Sequence, residues 1–408
     1  MNWPSNSNGV LTPEQIIELN RRFESSDALL GFDVSDDFVQ FNQKDDMFTR
    51  AFWDDTIKSK DTDAFFSSYR MEAAPRRGEG FNQKDFALRN AAWAISDIFS
   101  NRGNDIGERE GFQAAIKNDT PVAADQITVD DPAAESAEIK KLAKLFGADL
   151  VGITEVDQRF HYSHRVDTRD FTEVPNALPE GVTHVIVMGH AMDVDLVDTY
   201  PSALAGVSTG MEYSHEAAIV VQLATYIRNL GFEAIASMND TALVIPYAIK
   251  AGLGEYGRNQ MVLTPEFGPR IRFSKIFTNL PLTADTPQPL GIKQYCENCT
   301  KCAKACPPKA LPFGEPTVKA ENQSTLAHVR KWSADCEKCF GYWAKLKTDC
   351  AICMRVCPFT HKRSWMDHLW FALATSRFRQ LALWLDARRG LPVRLKPGRW
   401  WDRLRNHR

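Results

Sequence analysis

Nine cysteines occur in this chain of 408 residues, and the spacing of eight of them suits a cluster of metal ions. The first run reads C-x2-C-x2-C-x3-C-P, and it consists of Cys296, Cys299, Cys302 and Cys306. The second group consists of Cys339, Cys350, Cys353 and Cys357, again with a proline after the last cysteine. Runs of this kind hold [4Fe–4S] clusters in bacterial ferredoxins, because thiolate is the ligand that iron–sulfur clusters need. The sequence therefore predicts two [4Fe–4S] clusters.

The two runs are predicted to share their ligands. In two-cluster ferredoxins the fourth cysteine of each run binds the cluster of the other run. One predicted ligand set is Cys296, Cys299, Cys302 and Cys357. The other predicted set is Cys306, Cys339, Cys350 and Cys353.

Two alternatives concern the cysteines. Structural zinc would suit paired C-x2-C units, but a triple run that ends in C-x3-C-P is unusual for zinc. The ninth cysteine, Cys336, could replace Cys339 as a ligand, although a place beside the cluster suits it better. Disulfides are disfavoured, since the sequence shows no secretory segment.

Composition and charge exclude few classes of protein. Hydrophobic residues make up 44% and charged residues 25% of the chain, as in ordinary globular proteins. The formal net charge of −3 points to no class of partner. There is no apolar signal region at the N-terminus, and no apolar run reaches the roughly 18 residues of a membrane span. We therefore expect a cytoplasmic protein.

The order of predicted elements divides the chain into four regions. These are an N-terminal cap (1–132), an α/β core (133–285), a two-cluster domain (286–362) and a basic C-terminal tail (363–408). In the core, predicted strands at 149–154, 183–189, 232–237 and 270–278 alternate with predicted helices at 135–146, 214–230 and 242–251. This alternation predicts an α/β core. No G-x-G-x-x-G motif follows the first strand, which argues against a dinucleotide fold.

A glycine-rich segment, Ala251-Gly-Leu-Gly-Glu-Tyr-Gly-Arg258, follows the last predicted helix of the core. Closely spaced glycines allow the backbone to approach a flat ligand, because no Cβ stands in the way. From these residues alone, a plain turn is an equally good interpretation.

This segment, Leu263-Thr-Pro-Glu-Phe-Gly-Pro-Arg270 and the double cysteine motif together resemble the cobalamin-dependent reductive dehalogenases. The resemblance extends over most of residues 40–360. Epoxyqueuosine reductases share the glycine segment, the Pro-Glu-Phe-Gly segment and the clusters. The resemblance implies a fold of the α/β (α+β) class, in which a nitroreductase-like α/β core binds cobalamin and a two-cluster ferredoxin-like domain is inserted or appended.

The resemblance also implies a corrinoid cofactor, which is held base-off between the core and the cluster domain. The Asp-x-His-x-x-Gly run that supplies a cobalt-ligating histidine in other cobalamin proteins is missing here, as this binding mode requires. The candidates for a corrin-facing loop are Gly252, Gly254, Tyr256, Arg258, Thr264 and Pro265.

The resemblance also implies catalytic residues. Tyr213, just before a predicted helix, matches the tyrosine proton donor of the family, and Asn239 matches an asparagine of its pocket. Arg272 and Lys275 lie where the family has a cation beside that tyrosine. A spacing of three puts them on opposite faces of a strand, and we favour Arg272. A neighbouring cation stabilises a phenolate, so the phenol releases its proton more readily.

Together these features predict a reductive dehalogenase that replaces a carbon–halogen bond by a carbon–hydrogen bond in an organohalide, for example a halogenated phenol. Cob(I)alamin, reduced through the two clusters, would supply electrons, and Tyr213 would supply the proton. His215 and Glu216 are nearby alternative acids. We expect a separate electron donor, namely a ferredoxin, a flavodoxin or a reductase.

Two other functions remain open. Epoxyqueuosine reductases use an aspartate where this chain has Tyr213, and they often carry a helical-repeat extension for tRNA that is not seen here. A plain iron–sulfur electron-transfer protein would need no large α/β core. The tail contains a predicted amphipathic helix at 365–385, which could dock on a membrane surface or an acidic electron donor, or pack back on the protein.

Overall fold

The computed structural model describes residues 11–30, 33–70, 78–100, 113–167, 170–287, 289–360 and 364–406. The helices before the cluster domain are α1 (Pro13–Leu30), α2 (Met47–Trp53), α3 (Lys60–Ser67), α4 (Gln83–Phe99), α5 (Pro132–Phe146), α6 (Val194–Val197), α7 (Gly206–Asn229) and α8 (Val244–Lys250). Those that follow are α9 (Ile292–Asn298), α10 (Lys301–Ala305), α11 (Cys336–Leu346), α12 (Ile352–Arg355), α13 (Trp365–Thr375), α14 (Arg379–Arg389) and α15 (Pro397–Asn406).

The strands are β1 (Leu150–Glu155), β2 (His164–Val166), β3 (Glu173–Pro175), β4 (His184–Ala191), β5 (Ala234–Ser237), β6 (Glu255–Tyr256), β7 (Val262–Leu263) and β8 (Ile271–Thr278). Four of them form the central sheet, in the order β1–β4–β8–β5, and every neighbouring pair is antiparallel. The register places His190 of β4 opposite Arg272 of β8, and Lys275 of β8 opposite Ser237 of β5.

Helices cover both faces of this sheet. On one face, Ile186 and Ile276 pack against Leu223 of α7. On the other face, Val187 and Phe277 pack with residues of α8. Because β4 and β8 are apolar on both sides, burial explains their continuous hydrophobic sequence. The predicted class, a mixed helix and sheet core with a cluster domain, is confirmed.

Helix α7 begins earlier than the sequence predicts. The prediction placed its start at residue 214, whereas the helix runs from Gly206. The first turns contain Gly206 and Gly210, residues of low helix propensity, and therefore did not look helical. Packing against α4 stabilises them. Tyr213 consequently lies within the helix and not before it.

The predicted single helix at 365–385 is also wrong, since the structure has two helices, α13 and α14. The break lies at Ser376, whose backbone is extended at φ −90° and ψ −178°. Its hydroxyl donates to the Leu373 carbonyl at 2.9 Å and accepts from the Phe378 amide at 3.1 Å. A serine side chain that satisfies backbone groups in this way competes with the helix.

A buried group of charges fastens α1 to the core. The Arg159 guanidinium lies 2.8 Å from Asp27 of α1 and 2.7 Å from Asp157, and Lys250 of α8 lies 2.9 Å from Asp157. Burial opposes the charge of Asp157, but Lys250 and Arg159 outweigh it and lower the pKa of that carboxyl. Each charge is thus paired, as buried charges must be.

The core and the cluster domain share a polar joint. The Arg258 guanidinium donates to the carbonyl oxygens of Cys296, Glu297, Pro312 and Gly314, at 2.7–3.1 Å. The Glu255 carboxylate accepts from the amides of Leu290 and Lys293. These bonds fix the start of the cluster domain against the glycine-rich segment.

Within the described ranges, we find no helix with the length and apolar character that crossing a membrane requires.

The turn before β8 touches the cluster domain so closely that it needs glycine. Gly268 has φ +58°, and a Cβ there would lie 2.0 Å from the Phe359 carbonyl oxygen. We expect Gly268→Ala to reduce the free energy of unfolding by about 2 kcal/mol or more, from the left-handed backbone and the clash. Denaturant unfolding under anaerobic conditions measures this.

A matched control is Gly341→Ala, in α11. A Cβ at Gly341 would meet nothing within 4 Å, so alanine there should leave the stability unchanged or raise it. Equal stability of the Gly268→Ala and Gly341→Ala proteins would contradict the proposed role of this turn.

Candidate active site

The structure brings the first predicted cysteine set to one cavity. This cavity encloses about 300 Å³ of empty space, and its lining includes Cys296, Cys299, Cys302 and Cys357. Three of the sulfurs come from α9, α10 and the turn between them, and Cys357 comes from the turn after α12. The fold therefore places Cys357 beside the first cysteine run, as the predicted cross-over requires.

The second predicted set also converges. Cys306 packs with Cys302, Cys339 and Cys353 in one small apolar cluster. Burial raises the pKa of the Cys339 thiol, and the nearby Cys350, Cys336 and Cys306 raise it further. The four cysteines of this set thus lie near one another, with Cys302 and Cys336 close to them.

Cys336 lies beside this second set. Its sulfur donates to the Ala334 carbonyl at 3.7 Å and contacts Thr325 Oγ1 at 3.9 Å and Gln260 Nε2 at 4.0 Å. These contacts turn it toward the 324–334 segment.

Two clefts share residues of α8, and one of them reaches a cysteine. The large cleft, with a volume of about 310 Å³, is lined by Phe41, Asp46, Phe48, Gln113, Phe160, Tyr162, Met238, Asn239, Ala242, Leu243, Val244, Ile245, Pro246, Tyr256, Gln260, Ser324, Thr325, Leu326, Val329 and Lys331. The cysteine-side cleft, with a volume of about 230 Å³, is lined by Met192, Tyr200, Thr209, Val244, Ile245, Met261, Val262, Ile271, Arg272, Phe273, Trp343, Asp349, Cys350, Ala351 and Met354.

The first turn of α8 separates the two clefts, since Val244 and Ile245 line both. Their walls are mainly apolar, and the described lining residues include no histidine. The cysteine-side cleft extends from Cys350 to Arg272. A ligand in this cleft would therefore lie between Cys350, a predicted cluster ligand, and Arg272.

The predicted catalytic residues Tyr213, Arg272 and Asn239 lie together. The Arg272 guanidinium carbon is 3.5 Å from the centre of the Tyr213 ring. Asn239 Nδ2 donates to the Tyr213 hydroxyl at 2.5 Å. A cation over the ring and a donor to the oxygen both favour the phenolate that remains after proton transfer.

Besides Arg272, an aromatic residue packs against the Tyr213 ring, and the sequence did not predict this contact. Trp93 of α4 stacks on the Tyr213 ring, with centroids 4.3 Å apart and an interplanar angle of 26°. Gly210, one turn earlier in α7, makes room, because a Cβ there would lie 2.4 Å from Trp93 Cδ1. A glycine inside a helix is a sequence signal for such close approach.

Arg272 and Lys275 lie on opposite faces of β8, as their spacing predicts. Arg272 faces Tyr213, whereas the Lys275 ammonium donates to the Met238 carbonyl oxygen. Burial lowers the pKa of Lys275 to about 8. Lys275 therefore lies behind the catalytic residues, where it fixes the backbone next to Asn239.

A buried carboxyl group lies next to Arg272. Glu216 Oε1 is 3.7 Å from Arg272 Nε, which is too long for a hydrogen bond, and neither oxygen of Glu216 has a hydrogen-bond partner among the described residues. Burial raises the pKa of Glu216 to about 7, although Arg272 and Lys275 act against it. Glu212, one turn away, has a pKa of about 8, mainly through burial and partly through Glu216.

The other alternative acid, His215, is turned away from this group. Its side chain is 58% exposed, and its Nδ1 lies 3.5 Å from Glu212. A proton could thus pass between solvent and the carboxyl of Glu212 at this point on α7.

The predicted corrin-facing loop is only partly next to a cleft. Of its six candidates, Tyr256 lines the large cleft, and its hydroxyl donates to the Trp332 carbonyl at 2.9 Å. The structure puts the other five elsewhere, and they line neither cleft: Gly252, Gly254, Arg258, Thr264 and Pro265. Arg258 binds backbone carbonyls of the cluster domain instead. Residues 243–246, at the start of α8, also line the large cleft, and no motif marks them. The assignment of the six candidates to a corrin-facing loop stays a prediction.

Comparisons with known proteins agree with the cysteine pattern. Residues 295–360 match the family described as 4Fe-4S double cluster binding domain, which confirms the prediction of two [4Fe–4S] clusters. The tetrachloroethene reductive dehalogenase of Sulfurospirillum multivorans is 32% identical over 311 residues, which cover 69% of this chain and 62% of that protein. The enzyme of the same name from Dehalobacter restrictus is 32% identical over 292 residues, which cover 62% of this chain and 52% of that protein.

A shorter match connects the chain to a second family. The epoxyqueuosine reductase of Listeria monocytogenes is 30% identical over 134 residues, or 32% of this chain and 34% of that protein. The chain thus spans about half to three fifths of the length of the reductive dehalogenases above, and about a third of the epoxyqueuosine reductase.

Solved structures share the fold. A reductive dehalogenase described as B12-dependent superposes with a TM-score of 0.65 at 21% identity, over 86% of this chain and 46% of that chain. A catabolic reductive dehalogenase in complex with 3-bromo-4-hydroxybenzoic acid superposes with a TM-score of 0.66, with the same identity and coverage.

The cross-over of ligands can be tested at Cys357. We expect Cys357→Ser to damage the cluster of the first cysteine run, because its sulfur lines that cavity. The iron content should fall below the roughly eight atoms of two intact clusters, with loss of the corresponding visible absorption.

The control is Cys336→Ser, which removes the ninth thiol and should retain about eight irons. Full iron content in the Cys357→Ser protein, or loss of a cluster in the Cys336→Ser protein, would show that the ligand sets are assigned incorrectly.

The raised pKa of Glu216 predicts a dependence of stability on pH. The folded state holds this proton up to about pH 7, whereas the unfolded state releases it near its ordinary value of 4.5. The contribution of this proton to the free energy of unfolding is fully present below pH 4.5, and it is lost as the pH rises through 7. Glu216→Gln should therefore gain on the order of 3 kcal/mol relative to wild type between pH 4.5 and pH 8.

Denaturant unfolding of both proteins at the two pH values measures this difference. As a control, Glu18→Gln replaces a carboxylate of α1 that is 67% exposed, and its difference from wild type should stay the same. A constant difference for Glu216→Gln would show that this carboxyl ionises normally.

Proposed function

The chain is a relative of the reductive dehalogenases, and we propose that it removes halogen reductively from an organohalide. The observation that carries this proposal is Arg272, which packs against the Tyr213 ring and also lines a cleft that reaches Cys350. A cation and a proposed cluster ligand thus line one cleft, and the proposed proton donor packs directly against that cation.

The reaction consumes two electrons and one proton, breaks the carbon–halogen bond, forms a carbon–hydrogen bond and releases halide. We assign the two [4Fe–4S] clusters to the two cysteine sets, with Cys336 outside both. When bound, reduced cobalamin would supply the electron pair, and the clusters would pass electrons to it from a separate ferredoxin, flavodoxin or reductase.

The two clefts fit a corrinoid. Ligand sites usually have about 300–1,000 Å³. The cavity volumes of the clefts on either side of Val244 and Ile245 are about 310 Å³ and 230 Å³, and together they lie within that range. The apolar walls suit the macrocycle, and Gln113, Asn239 and Gln260 can bind its peripheral amides. The absence of histidine among the described lining residues agrees with a corrinoid that takes no histidine ligand from the protein.

Tyr213 is the proposed proton donor. Asn239 donates to the phenol oxygen, and this bond stabilises the phenolate that remains after the proton leaves. Arg272 stabilises the negative charge that the ring acquires when the proton leaves. The same guanidinium can bind a phenolate substrate or the departing halide, which favours halogenated phenols as substrates.

The aromatic surroundings of Tyr213 exclude water. Trp93 stacks on Tyr213, and Tyr69 packs edge-on against Trp93 with centroids 5.9 Å apart. Tyr213 itself is 6% exposed. In such a site the cation acts on the phenol with little screening, and a reduced centre is protected from unwanted protons.

The two alternative functions are less well supported. The match to an epoxyqueuosine reductase covers a smaller part of the chain, and Tyr213 stands where that family has an aspartate. A plain electron-transfer protein would not account for the clefts or for a buried tyrosine under a guanidinium.

We expect Tyr213→Phe to bind corrinoid and both clusters and to lose most of its turnover, at least about 100-fold, since proton donors typically contribute 10²–10⁴. Halide release with a chemical reductant measures the rate. The control is Tyr226→Phe on the same helix, whose hydroxyl bonds Glu138 at the surface at 3.1 Å.

Near-normal turnover of Tyr213→Phe would exclude this tyrosine as the acid, and Glu216 would become the candidate. To test the function itself, anaerobically reconstituted protein should be screened against brominated and chlorinated phenols and against chlorinated ethenes. Halide release from phenols supports the proposed substrate class, release from ethenes alone contradicts it, and a protein that takes up no corrinoid contradicts the proposed function.

A further inference from the structure

Lys331 is a buried cation on the wall of the large cleft. Its side chain belongs to the lining of this cleft, and the residue is 9% exposed. Its ammonium donates to Ser333 Oγ at 2.6 Å. Among the described residues, no carboxylate lies within ion-pair distance of this ammonium.

The acidic groups in its surroundings do not neutralise it. Asp46, which lines the same cleft, accepts from the Phe48 amide at 2.9 Å and from Gln113 Nε2. Glu321 and the Cys336 thiol act on Lys331 only from a distance, and burial outweighs them and lowers its pKa to about 8. Lys331 is therefore still mainly charged at neutral pH.

A buried charge without a partner is costly, and proteins usually pair it or bind a counter-ion. Other buried cations of the chain, Arg159, Lys250 and Arg258, have partners within the protein. Lys331 differs, because its open side is a cleft large enough for a ligand. The ligand of the large cleft is thus expected to carry a negative group.

We propose that Lys331 binds the phosphate of the corrinoid's nucleotide tail, with Ser333 as a second donor. This inference rests on the proposed function. The tail contains a phosphodiester with one negative charge, and an ammonium is a common phosphate ligand. An anionic substrate is the other source of negative charge, but Arg272, in the cysteine-side cleft, already provides a cation beside Tyr213.

Binding of three corrinoids tests the inference. Cobalamin and cobinamide phosphate carry the phosphate, whereas cobinamide lacks it. Each is titrated into anaerobically reconstituted, corrinoid-free protein, and binding is followed by visible absorption. For Lys331→Met we expect the affinity for both phosphate-bearing corrinoids to fall about tenfold or more, since charged hydrogen bonds are lost, and the affinity for cobinamide to stay within about twofold.

Two matched variants accompany this test. Lys331→Arg keeps the charge and should retain most of the affinity for cobalamin. Arg330→Gln removes the neighbouring cation, which is 56% exposed and paired with Asp33, and should bind all three corrinoids as wild type does. Circular dichroism and an iron content of about eight per chain verify that each variant is folded.

The outcomes separate this inference from the function on which it rests. Equal weakening of all three corrinoids by Lys331→Met, or no weakening, would overturn the role of Lys331 while the chain remains a corrinoid protein. Loss of affinity only for a carboxylate-bearing substrate would assign Lys331 to the substrate instead. If wild type binds none of the corrinoids, the proposed function fails, and this inference fails with it.

Discussion

Arg272 carries a positive charge into the interior of the protein, and much of the structure serves to hold it there. Its guanidinium lies over the Tyr213 ring, with the Glu216 carboxyl 3.7 Å from its Nε. The antiparallel register of β4 and β8 fixes the position of Arg272 in the sheet. Tyr213 and Glu216 lie one turn apart on α7. A buried guanidinium is stable only with such neighbours. The sheet, the helix and the aromatic layer above them are therefore parts of one arrangement.

The clusters must lie close to this arrangement, and a second set of contacts ensures that they do. The Arg258 guanidinium binds four carbonyl groups of the cluster domain, and Gly268 allows the backbone of Phe359 to pass against the core. Both contacts involve residues near the cluster cysteines. Hydrogen bonds from a charged group are stronger than neutral ones, so these contacts stabilise the joint. Cys350 and Arg272 can then share one cleft.

Charges in the interior divide into three kinds. Arg159 and Asp157 neutralise one another and serve stability. Near Arg272, burial raises the pKa values of Glu216 and Glu212 to about 7 and about 8. Carboxyl groups that titrate near neutral pH are suited to proton transfer. Lys331 has a hydroxyl partner and an open cleft beside it, which suits binding of an anion. The partner of each charged side chain thus indicates whether that side chain serves stability, proton transfer or ligand binding.

Sequence reasoning was most successful where function depends on local spacing. The spacing of the cysteine runs predicted which cysteines lie together, because the short turns between them restrict how the sulfurs can be arranged. The four core strands were found within a few residues, because burial on both faces makes them apolar throughout. The separation of Arg272 from Lys275 followed from the two-residue period of a strand. Tyr213 and Asn239 were predicted only from the resemblance to a family, and no sequence pattern predicted the contact between them.

The remaining features depend on partners that are distant in sequence. The early start of α7, the stacking of Trp93 on Tyr213 and the cleft residues Val244 and Ile245 carry no local signal, because packing against other elements creates them. Arg258 looked like a ligand contact, yet it binds carbonyls more than thirty residues away. Spacing along the chain specifies which groups can meet within a turn or a strand. Only the packed fold specifies which side chains face a cavity, since that depends on what occupies the space around them.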